Sequence, residues 1–234
     1  MSNFTPLGRR QIAQLVGQDL PDGAIVNLGI GMPTQVSQCL PAGREIILHS
    51  ENGILGMGPP AAADQVDTDL IDASRTPITL LDGASITEHT TSFAMMRGGH
   101  LDYCILGGFQ VAQNGDLANW ITDAPDAIAA IGGAMDLAVG AKKVLVMMEY
   151  VTKNGEARLL EQCSYPLTGA GVVDRVYTDL AVIDITGKGF SVYAMLDGVT
   201  LDYLQERTRA PLDGSNCSLS IVVDSDGKPA YRAL

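Results

Sequence analysis

One glutamate in this sequence stands where a carboxylate could carry out chemistry. Glu51 follows residues 45–49, a short apolar stretch typical of a buried strand, and it lies between the polar residues Ser50 and Asn52. Gly53 and further glycines come next, so the backbone beyond the acid leaves room for a bulky ligand. Open α/β sheets bind ligands at the carboxyl ends of their strands, and this order of residues predicts that position for the acid. An ordinary Glu, with a pKa of about 4.3, is ionised at neutral pH and needs no general base to act as a nucleophile.

Each candidate near a predicted strand end allows two interpretations. The alternative for Glu51 is a solvated acid at a turn, because most glutamates are exposed. Asn52 orients the Glu51 carboxylate or caps the turn. The pair Gly107 and Gly108 directly follows the apolar stretch 103–106, so two backbone N–H groups without a neighbouring Cβ are available to stabilise an oxyanion. The alternative for this pair is a tight turn or bulge.

The segment Gly-Ile-Gly-Met-Pro-Thr, residues 29–34, joins a predicted strand to a helix that Pro33 is suited to open. It differs from the dinucleotide fingerprint G-x-G-x-x-G, because Thr34 stands where the third glycine is required. The free N–H groups at the start of such a helix, from Gly29 and Gly31 onward, are suited to an anionic ligand.

Short apolar strands alternating with helices are the elements that must position these residues. Thr5 and Pro6 predict the start of a first helix, and Pro21 predicts its end. Strands are predicted at residues 24–28, 45–49, 78–81, 103–106, 143–149, 179–185, 190–195 and 219–223, and later helices at residues 92–97, 133–139 and 201–209. This alternation predicts an α/β fold with a mostly parallel central sheet and helices on both faces. We expect one domain, residues 1–210, and a C-terminal extension, residues 211–234, that packs on it or trails from it.

Composition excludes several classes of function. The 234 residues carry 15 Lys and Arg against 27 Asp and Glu, a formal charge of −12, so no basic face for nucleic acid or anionic lipid is expected. Residues 1–10 lack the apolar region of a signal peptide, and every apolar stretch is far shorter than the roughly 20 residues of a membrane span. Four scattered cysteines and three histidines without zinc-like spacing predict reduced thiols, no metal site and a cytoplasmic location.

A longer set of motifs resembles one known family. Residues 50–59, Ser-Glu-Asn-Gly-Ile-Leu-Gly-Met-Gly-Pro, are similar to the active-site signature of the B subunit of the 3-oxoacid CoA-transferases, a class I CoA-transferase family. The other similar segments are residues 27–33, 92–100, 107–111, 115–120 and 165–169. The resemblance extends from the first helix to about residue 204. It implies the CoA-transferase fold, which is related to that of sugar-phosphate isomerases.

The resemblance implies a reaction and a role for each candidate residue. Glu51 would attack an acyl-CoA, giving an acyl-glutamyl anhydride and then a glutamyl-CoA thioester in a ping-pong exchange. Gly107, with Gly108, would bind the oxyanion, and Asn52 would assist Glu51. Coenzyme A would be the carried group, with no permanently bound cofactor and no metal. The residues expected around the substrate and CoA are Gly29, Gly31, Ser50, Gly53 and Arg97; the alternative for Arg97 is a solvated or subunit-interface position.

The resemblance also implies a partner and a range of substrates. The family needs an A subunit that supplies much of the CoA site, so we expect a heterodimer or heterotetramer and little activity from the isolated chain. Succinyl-CoA is the expected donor and 3-oxoadipate or acetoacetate the expected acceptor, with an acetate or butyrate enzyme as an alternative. A non-catalytic acyl-CoA-binding subunit would not need Glu51. A sugar-phosphate isomerase would need phosphate-binding residues that the sequence lacks beside Glu51.

Overall fold

The computed structural model describes residues 4–234, and a twelve-stranded β-sheet is its central feature. The strands are β1 Ile25–Leu28, β2 Ile47–Ser50, β3 Ile54–Pro60, β4 Ile78–Ile86, β5 Tyr103–Gly107, β6 Gln110–Ala112, β7 Leu117–Ala118, β8 Lys143–Met147, β9 Leu159–Leu160, β10 Val173–Tyr177, β11 Ala181–Thr186, β12 Gly189–Leu196, β13 Leu212–Asp213, β14 Leu219–Val223 and β15 Pro229–Ala233. The α-helices are α1 Arg9–Asp19, α2 His89–Arg97, α3 Ala134–Gly140 and α4 Leu201–Gln205, and a 3-10 helix spans Met32–Gln38.

The centre of the large sheet is parallel. Strands β2, β1, β5, β8 and β10 are neighbours in that order, and each pair among them is parallel. Antiparallel pairs extend the sheet on both sides, with β3 and β4 beyond β2, and β11 and β12 beyond β10. A second, three-stranded sheet contains β7, β6 and β9. The predicted α/β class is confirmed, and the parallel arrangement that we expect from the sequence is that of the central strands.

The central strands are apolar because the sheet is covered on both faces. Val26 in β1, Ile105 in β5 and Val146 in β8 are fully buried. Such strands have near-continuous apolar sequences instead of alternating ones, which explains why the sequence alone locates them well. Outside the sheet, α1 packs against the 3-10 helix and α2 packs against α3.

Three helix predictions differ from the structure, and the shortest difference is at the predicted helix 201–209, where α4 ends at Gln205. Helix α1 begins after Gly8 instead of at Thr5, because the side chain of Gln11 accepts a hydrogen bond of 2.7 Å from the Gly8 N–H and caps the helix there. The segment that Pro33 opens is a 3-10 helix instead of an α-helix. Within it the Ser37 hydroxyl donates to the Thr34 carbonyl at 2.8 Å, a side-chain bond of the kind that competes with regular α-helical bonding.

Residues 211–234 add strands at one edge of the large sheet. Strand β14 pairs with β12 in parallel, and β15 pairs with β14 in antiparallel. Gln18 on α1 donates a bond of 2.9 Å to the carbonyl of Pro229 in β15. The boundary at residue 210 stays a prediction, and residues 1–3 of the predicted domain lie outside the described residues. Among residues 4–234, none of the helices combines the length and apolar composition needed to cross a membrane.

Candidate active site

Glu51 lies at the edge of a cavity of about 630 Å³ at the carboxyl ends of the central strands. It directly follows β2, in the turn that joins β2 to β3. Leu28, Leu106 and Met147, from the last positions of β1, β5 and β8, line the same cavity. The strand order therefore brings the predicted nucleophile to the edge of the sheet where α/β proteins bind their ligands.

The loop before α3 covers the Glu51 carboxylate. An added Cβ on Gly133 would collide with the Glu51 Oε2 atom, and one on Gly132 would lie 3.8 Å from Oε1. Burial raises the pKa of Glu51 above its ordinary value, while the backbone N–H of Gly133 and the nearby His89 lower it and Asp136 adds to the rise. A carboxylate with a raised pKa is more basic and is therefore a stronger nucleophile when it is ionised.

Gly107 and Gly108 lie in the same cavity, at the end of β5. An added Cβ on Gly107 would meet no atom within 4 Å, so the strand exposes backbone to the open space there. Pairing of β1 with β5 ends at Leu28 and Ile105, and successive N–H groups of a strand alternate in direction. The Gly107 N–H therefore lies on the β1 side of β5, past the last residue pair of β1 and β5, where β1 has no residue left to accept it. Asn119 fixes this segment by donating a 3.0 Å bond to the Gly107 carbonyl.

Gly29 lines the cavity, and Gly31 lies nearby at the start of the 3-10 helix. The Gly29 N–H donates to the Ile105 carbonyl at 2.8 Å, and a Cβ on Gly29 would come within 3.0 Å of that oxygen. Glycine at this position thus allows the chain after β1 to pass close to β5. Gly31 has a φ of +94°, a backbone conformation that favours glycine.

Ser50, Asn52 and Gly53 shape the turn around Glu51 and do not line the cavity. The Ser50 hydroxyl accepts a 3.0 Å bond from the Ala73 N–H, and the Asn52 amide donates 2.8 Å to the Ile71 carbonyl. Both bonds hold the segment that brings Ala73 into the cavity. Gly53 has a φ of +117°, and a Cβ there would collide with the Thr87 carbonyl. The predicted contacts of Ser50 and Gly53 with substrate or CoA, and the predicted role of Asn52 in orienting Glu51, stay predictions.

Arg97 lies outside the cavity lining. Its side chain is 68% exposed, and its Nε lies 2.7 Å from Asp136 Oδ1. Its guanidinium also stacks over the Phe93 ring at 5.7 Å. An exposed, paired arginine corresponds to the solvated or interface alternative, and no contact in the described residues joins it to Glu51.

A buried polar network lies beside the end of β2 that carries Glu51, and no sequence motif predicts it. The Asn27 amide donates 2.9 Å to His49 Nδ1, and His49 Nε2 lies 2.9 Å from the Ser92 hydroxyl. Burial lowers the pKa of His49 to about 4, so the ring is neutral at neutral pH. Since Nδ1 accepts from Asn27, Nε2 carries the proton and donates to Ser92. These three polar residues lie in separate segments of the sequence, and no local pattern predicts that they form hydrogen bonds with one another.

Two further sets of cavity residues are missing from the sequence-based predictions. The first set is the glycine pair Gly132 and Gly133, which directly precedes α3. A search for glycine pairs at the ends of helices and strands, like the pair Gly107 and Gly108 at the end of β5, would have found it. Arg9 and Arg158 also line the cavity, and no local motif marks either one.

Metal-binding clusters of three or more His, Cys, Asp or Glu side chains are absent from the described part of the chain, residues 4–234. Four cysteines in this range are free thiols. Burial raises the pKa of Cys104, which lies near Glu51, well above its ordinary value, and the thiol is therefore not a competing nucleophile at neutral pH.

Known proteins share the fold of this chain. An acyl-CoA transferase apoenzyme from Escherichia coli O157:H7 has the same fold, with a TM-score of 0.72 at 19% identity over 93% of this chain. This chain spans 44% of that longer chain, so the likeness shows the fold alone. The two chains therefore share one fold.

Sequence comparison identifies the family. The coenzyme A transferase family profile matches residues 9–207. The B subunit of the 3-oxoadipate CoA-transferase of Acinetobacter baylyi is 53% identical over 210 residues, 90% of this chain and 97% of that protein. The B subunit of a probable succinyl-CoA:3-ketoacid coenzyme A transferase of Bacillus subtilis is 46% identical over 202 residues, 86% of this chain and 93% of that protein. This chain belongs to the coenzyme A transferase family.

Proposed function

We propose that this chain is the glutamate-bearing B subunit of a 3-oxoacid CoA-transferase. The observation that carries the proposal is the position of Glu51, beside an apolar cavity at the carboxyl ends of β1, β5 and β8. The names of the Acinetobacter and Bacillus relatives support the same reaction and the same kind of subunit.

Glu51 begins the reaction as an ionised nucleophile. One carboxylate oxygen attacks the thioester carbonyl carbon of the acyl-CoA, the carbon–sulfur bond breaks, and the CoA thiolate leaves. The product is a mixed anhydride between the acyl group and Glu51. The thiolate then attacks the Glu51 Cδ, the anhydride bond breaks, and the first acid leaves as a carboxylate while Glu51 holds CoA as a thioester. An incoming 3-oxo acid reverses these steps and leaves as its CoA thioester.

Each attack passes through a tetrahedral intermediate whose oxygen is negatively charged. The free direction of the Gly107 N–H, and the absence of a side chain there, support Gly107 as a donor to that oxygen, with Gly108 beside it. One such donor is commonly worth about 3–4 kcal/mol of transition-state stabilisation. Gly133 supports the ground state instead, because its N–H faces the ionised Glu51 carboxylate.

A partner A subunit completes the enzyme in this proposal. Among the described residues that line the cavity, Arg9 and Arg158 are the only cationic side chains, and both lie within 3.7 Å of Glu149. With a formal charge of −12, the chain is poorly suited to hold the phosphates of CoA by itself. Assembly into a heterodimer or heterotetramer, use of succinyl-CoA with 3-oxoadipate or acetoacetate, and a cytoplasmic location remain parts of the proposal. CoA is a substrate group here and not a resident cofactor.

Intact-mass spectrometry tests this function. The chain, purified with its A subunit, is exposed briefly to succinyl-CoA and quenched in acid. We expect a CoA-sized adduct that maps to the Glu51 peptide and is absent from Glu51→Gln. A complex that binds succinyl-CoA but forms no adduct would favour the non-catalytic acyl-CoA-binding alternative instead.

A further inference from the structure

Two arginines and one glutamate form a charged cluster at the cavity. Arg9, the first residue of α1, contributes Nη2 at 3.0 Å and Nε at 3.3 Å from Glu149 Oε1. Arg158, just before β9, contributes Nη2 at 3.7 Å from Glu149 Oε2. Glu149 follows β8, so three separate segments meet in this cluster. Asp179 also lies near Glu149 and Arg158, so the two guanidinium groups face two carboxylates.

Arg158 has hydrogen-bonding capacity that the chain does not use. Its side chain is 19% exposed, its Nε is buried, and no acceptor among the described residues takes the Nε proton. Its Nη1 lies 3.4 Å from the Gly108 carbonyl, and the contact with Glu149 is also long. A guanidinium carries five donors; the buried Nε of Arg158 is out of a ligand's reach, and the donors that a ligand in the cavity can use are those of the two Nη atoms.

The position of Arg158 favours an acyl carboxylate over a CoA phosphate. Its guanidinium contacts the carbonyl of Gly108, the residue after the proposed oxyanion donor Gly107. The nearest phosphate of CoA is separated from the thioester by the whole pantetheine arm, and it cannot lie that close to the reacting carbonyl. The second carboxylate of a dicarboxylic acyl group, such as succinyl, is only a few bonds from that carbonyl.

We propose that Arg158, with Arg9 beside it, binds the distal carboxylate of the acyl group and makes this site selective for dicarboxylic acyl-CoA substrates. The inference rests on the proposed transferase function and adds the residues that choose its substrate. Planar guanidinium groups bind carboxylates through paired, charge-assisted hydrogen bonds, as Arg9 already does with Glu149. The acyl carboxylate would use the Nη donors of Arg158, whose contacts within the chain are long.

The test compares succinyl-CoA with butyryl-CoA, an acyl group of equal carbon number that lacks the second carboxylate. For the complex with the A subunit, kcat/KM is measured for both donors in the wild type and in Arg158→Gln. We expect the variant to lose about 10- to 100-fold with succinyl-CoA, the value of one strong charge-assisted contact, and to stay within about 3-fold with butyryl-CoA. Arg158→Lys keeps the charge and loses the planar pairing. We expect its kcat/KM with succinyl-CoA to lie between the values of the wild type and Arg158→Gln.

Arg10→Gln is the matched control, because Arg10 is the neighbouring exposed arginine on α1 and does not line the cavity. It removes the same charge and is expected to leave both donors unchanged. Arg9→Gln changes an exposed side chain, so it tests the inference even if Arg158→Gln does not fold, and we expect a smaller loss confined to succinyl-CoA.

An equal loss with both donors would overturn the inference, since it would show that the arginines only support the fold. An unchanged donor ratio in both Arg158→Gln and Arg9→Gln would overturn it as well. These outcomes leave the proposed function intact, because the wild-type complex still transfers CoA. If the wild type forms no Glu51 adduct with either donor, the proposed function fails, and this inference fails with it.

Discussion

The burial of the Glu51 carboxylate lowers the stability of the folded chain. The turn after β2 puts its carboxylate beneath the Gly132–Gly133 loop, where burial raises its pKa. Above the pKa of the folded chain, the ionised acid would be better solvated in the unfolded chain, so ionisation of Glu51 destabilises the fold. The same burial makes the carboxylate more basic, which favours attack on a thioester.

Glu51→Gln is therefore expected to raise the stability of the chain at neutral pH. Because burial raises the pKa of Glu51, replacing the ionised acid with a neutral amide removes this cost, and we expect the Tm of the variant to exceed that of the wild type. The advantage of the variant should shrink as the pH falls through the raised pKa of Glu51, because the wild-type acid then binds its proton in the folded state. Thermal unfolding of both proteins across this pH range measures the effect. An equal Tm difference at all pH values would contradict it.

Gly107→Ala separates a role in chemistry from a role in folding. An added Cβ meets no atom within 4 Å, so we expect Tm to change by less than about 2 °C. The methyl group would occupy the space where the thioester carbonyl must approach, and we expect kcat/KM of the complex to fall at least tenfold. Gly187→Ala is the control, since its Cβ is also unobstructed and it lies in the turn between β11 and β12. Equal activity in both variants would remove Gly107 from the oxyanion site.

Among the helices and strands, α1 links the C-terminal strands to the cavity. Its first residue, Arg9, lines the cavity, and its last residue, Asp19, accepts hydrogen bonds of 2.6 Å from Tyr177 and 3.0 Å from Tyr231. Gln11 donates 2.9 Å to the carbonyl of Gly227, in the turn before β15. The strands after residue 210 thus hold both halves of the helix that presents Arg9.

Tyr231→Phe is expected to lower the free energy of unfolding by about 1–2 kcal/mol, because it removes a hydrogen bond to a carboxylate that is largely buried. Chemical denaturation of the two proteins measures the difference. Tyr193→Phe is the control, since the Tyr193 ring packs against Tyr231 but its hydroxyl makes no hydrogen bond within the described residues. A loss as large in Tyr193→Phe would show that removing a tyrosine hydroxyl at this place, and not breaking the bond to Asp19, causes the loss.

Elements with a strong local signal are predictable from the sequence. The central strands β1, β2, β5 and β8 lie within a few residues of their predicted bounds, and the segment around Glu51 is identified from its motif and its position after a strand. From the sequence, the glycines of residues 54–60 predict a turn, whereas the structure has strand β3 there. Gly56 and Gly58 are needed in this strand because β3 passes close to β4. Strands β10 and β15 are not predicted, since Tyr177 in β10 and Tyr231 in β15 both pair with the distant Asp19.

Contacts between distant segments explain most of what the sequence could not predict at the site. Arg9 and Arg158 meet at Glu149, and Gly133 meets Glu51, only after the sheet has brought their segments together. No local sequence pattern predicts these contacts. Ser50 and Asn52 lie beside the nucleophile in sequence, yet their side chains bond to the backbone at Ala73 and Ile71 instead of reaching the cavity.

For the molecule as a whole, the negative net charge supports the proposal that the A subunit shares the site. Glu51 and the glycines that surround it come from this chain, whereas the chain offers few cations for a polyanionic substrate. A division of labour, in which one subunit supplies the nucleophile and the other supplies much of the CoA site, agrees with both observations. This division requires that Glu51 itself form the covalent link between donor and acceptor.

Oxygen exchange is the sharpest test of this covalent role. In the proposed pathway, the released acid carries away one carboxylate oxygen of Glu51, and the incoming acid replaces it. The complex with the A subunit turns over succinyl-CoA with a 3-oxo acid whose carboxylate carries a heavy oxygen isotope, in ordinary water. The mass of the Glu51 peptide is then measured. We expect the peptide to gain heavy oxygen during turnover. Sustained turnover with an unlabelled Glu51 peptide would contradict the covalent role of Glu51.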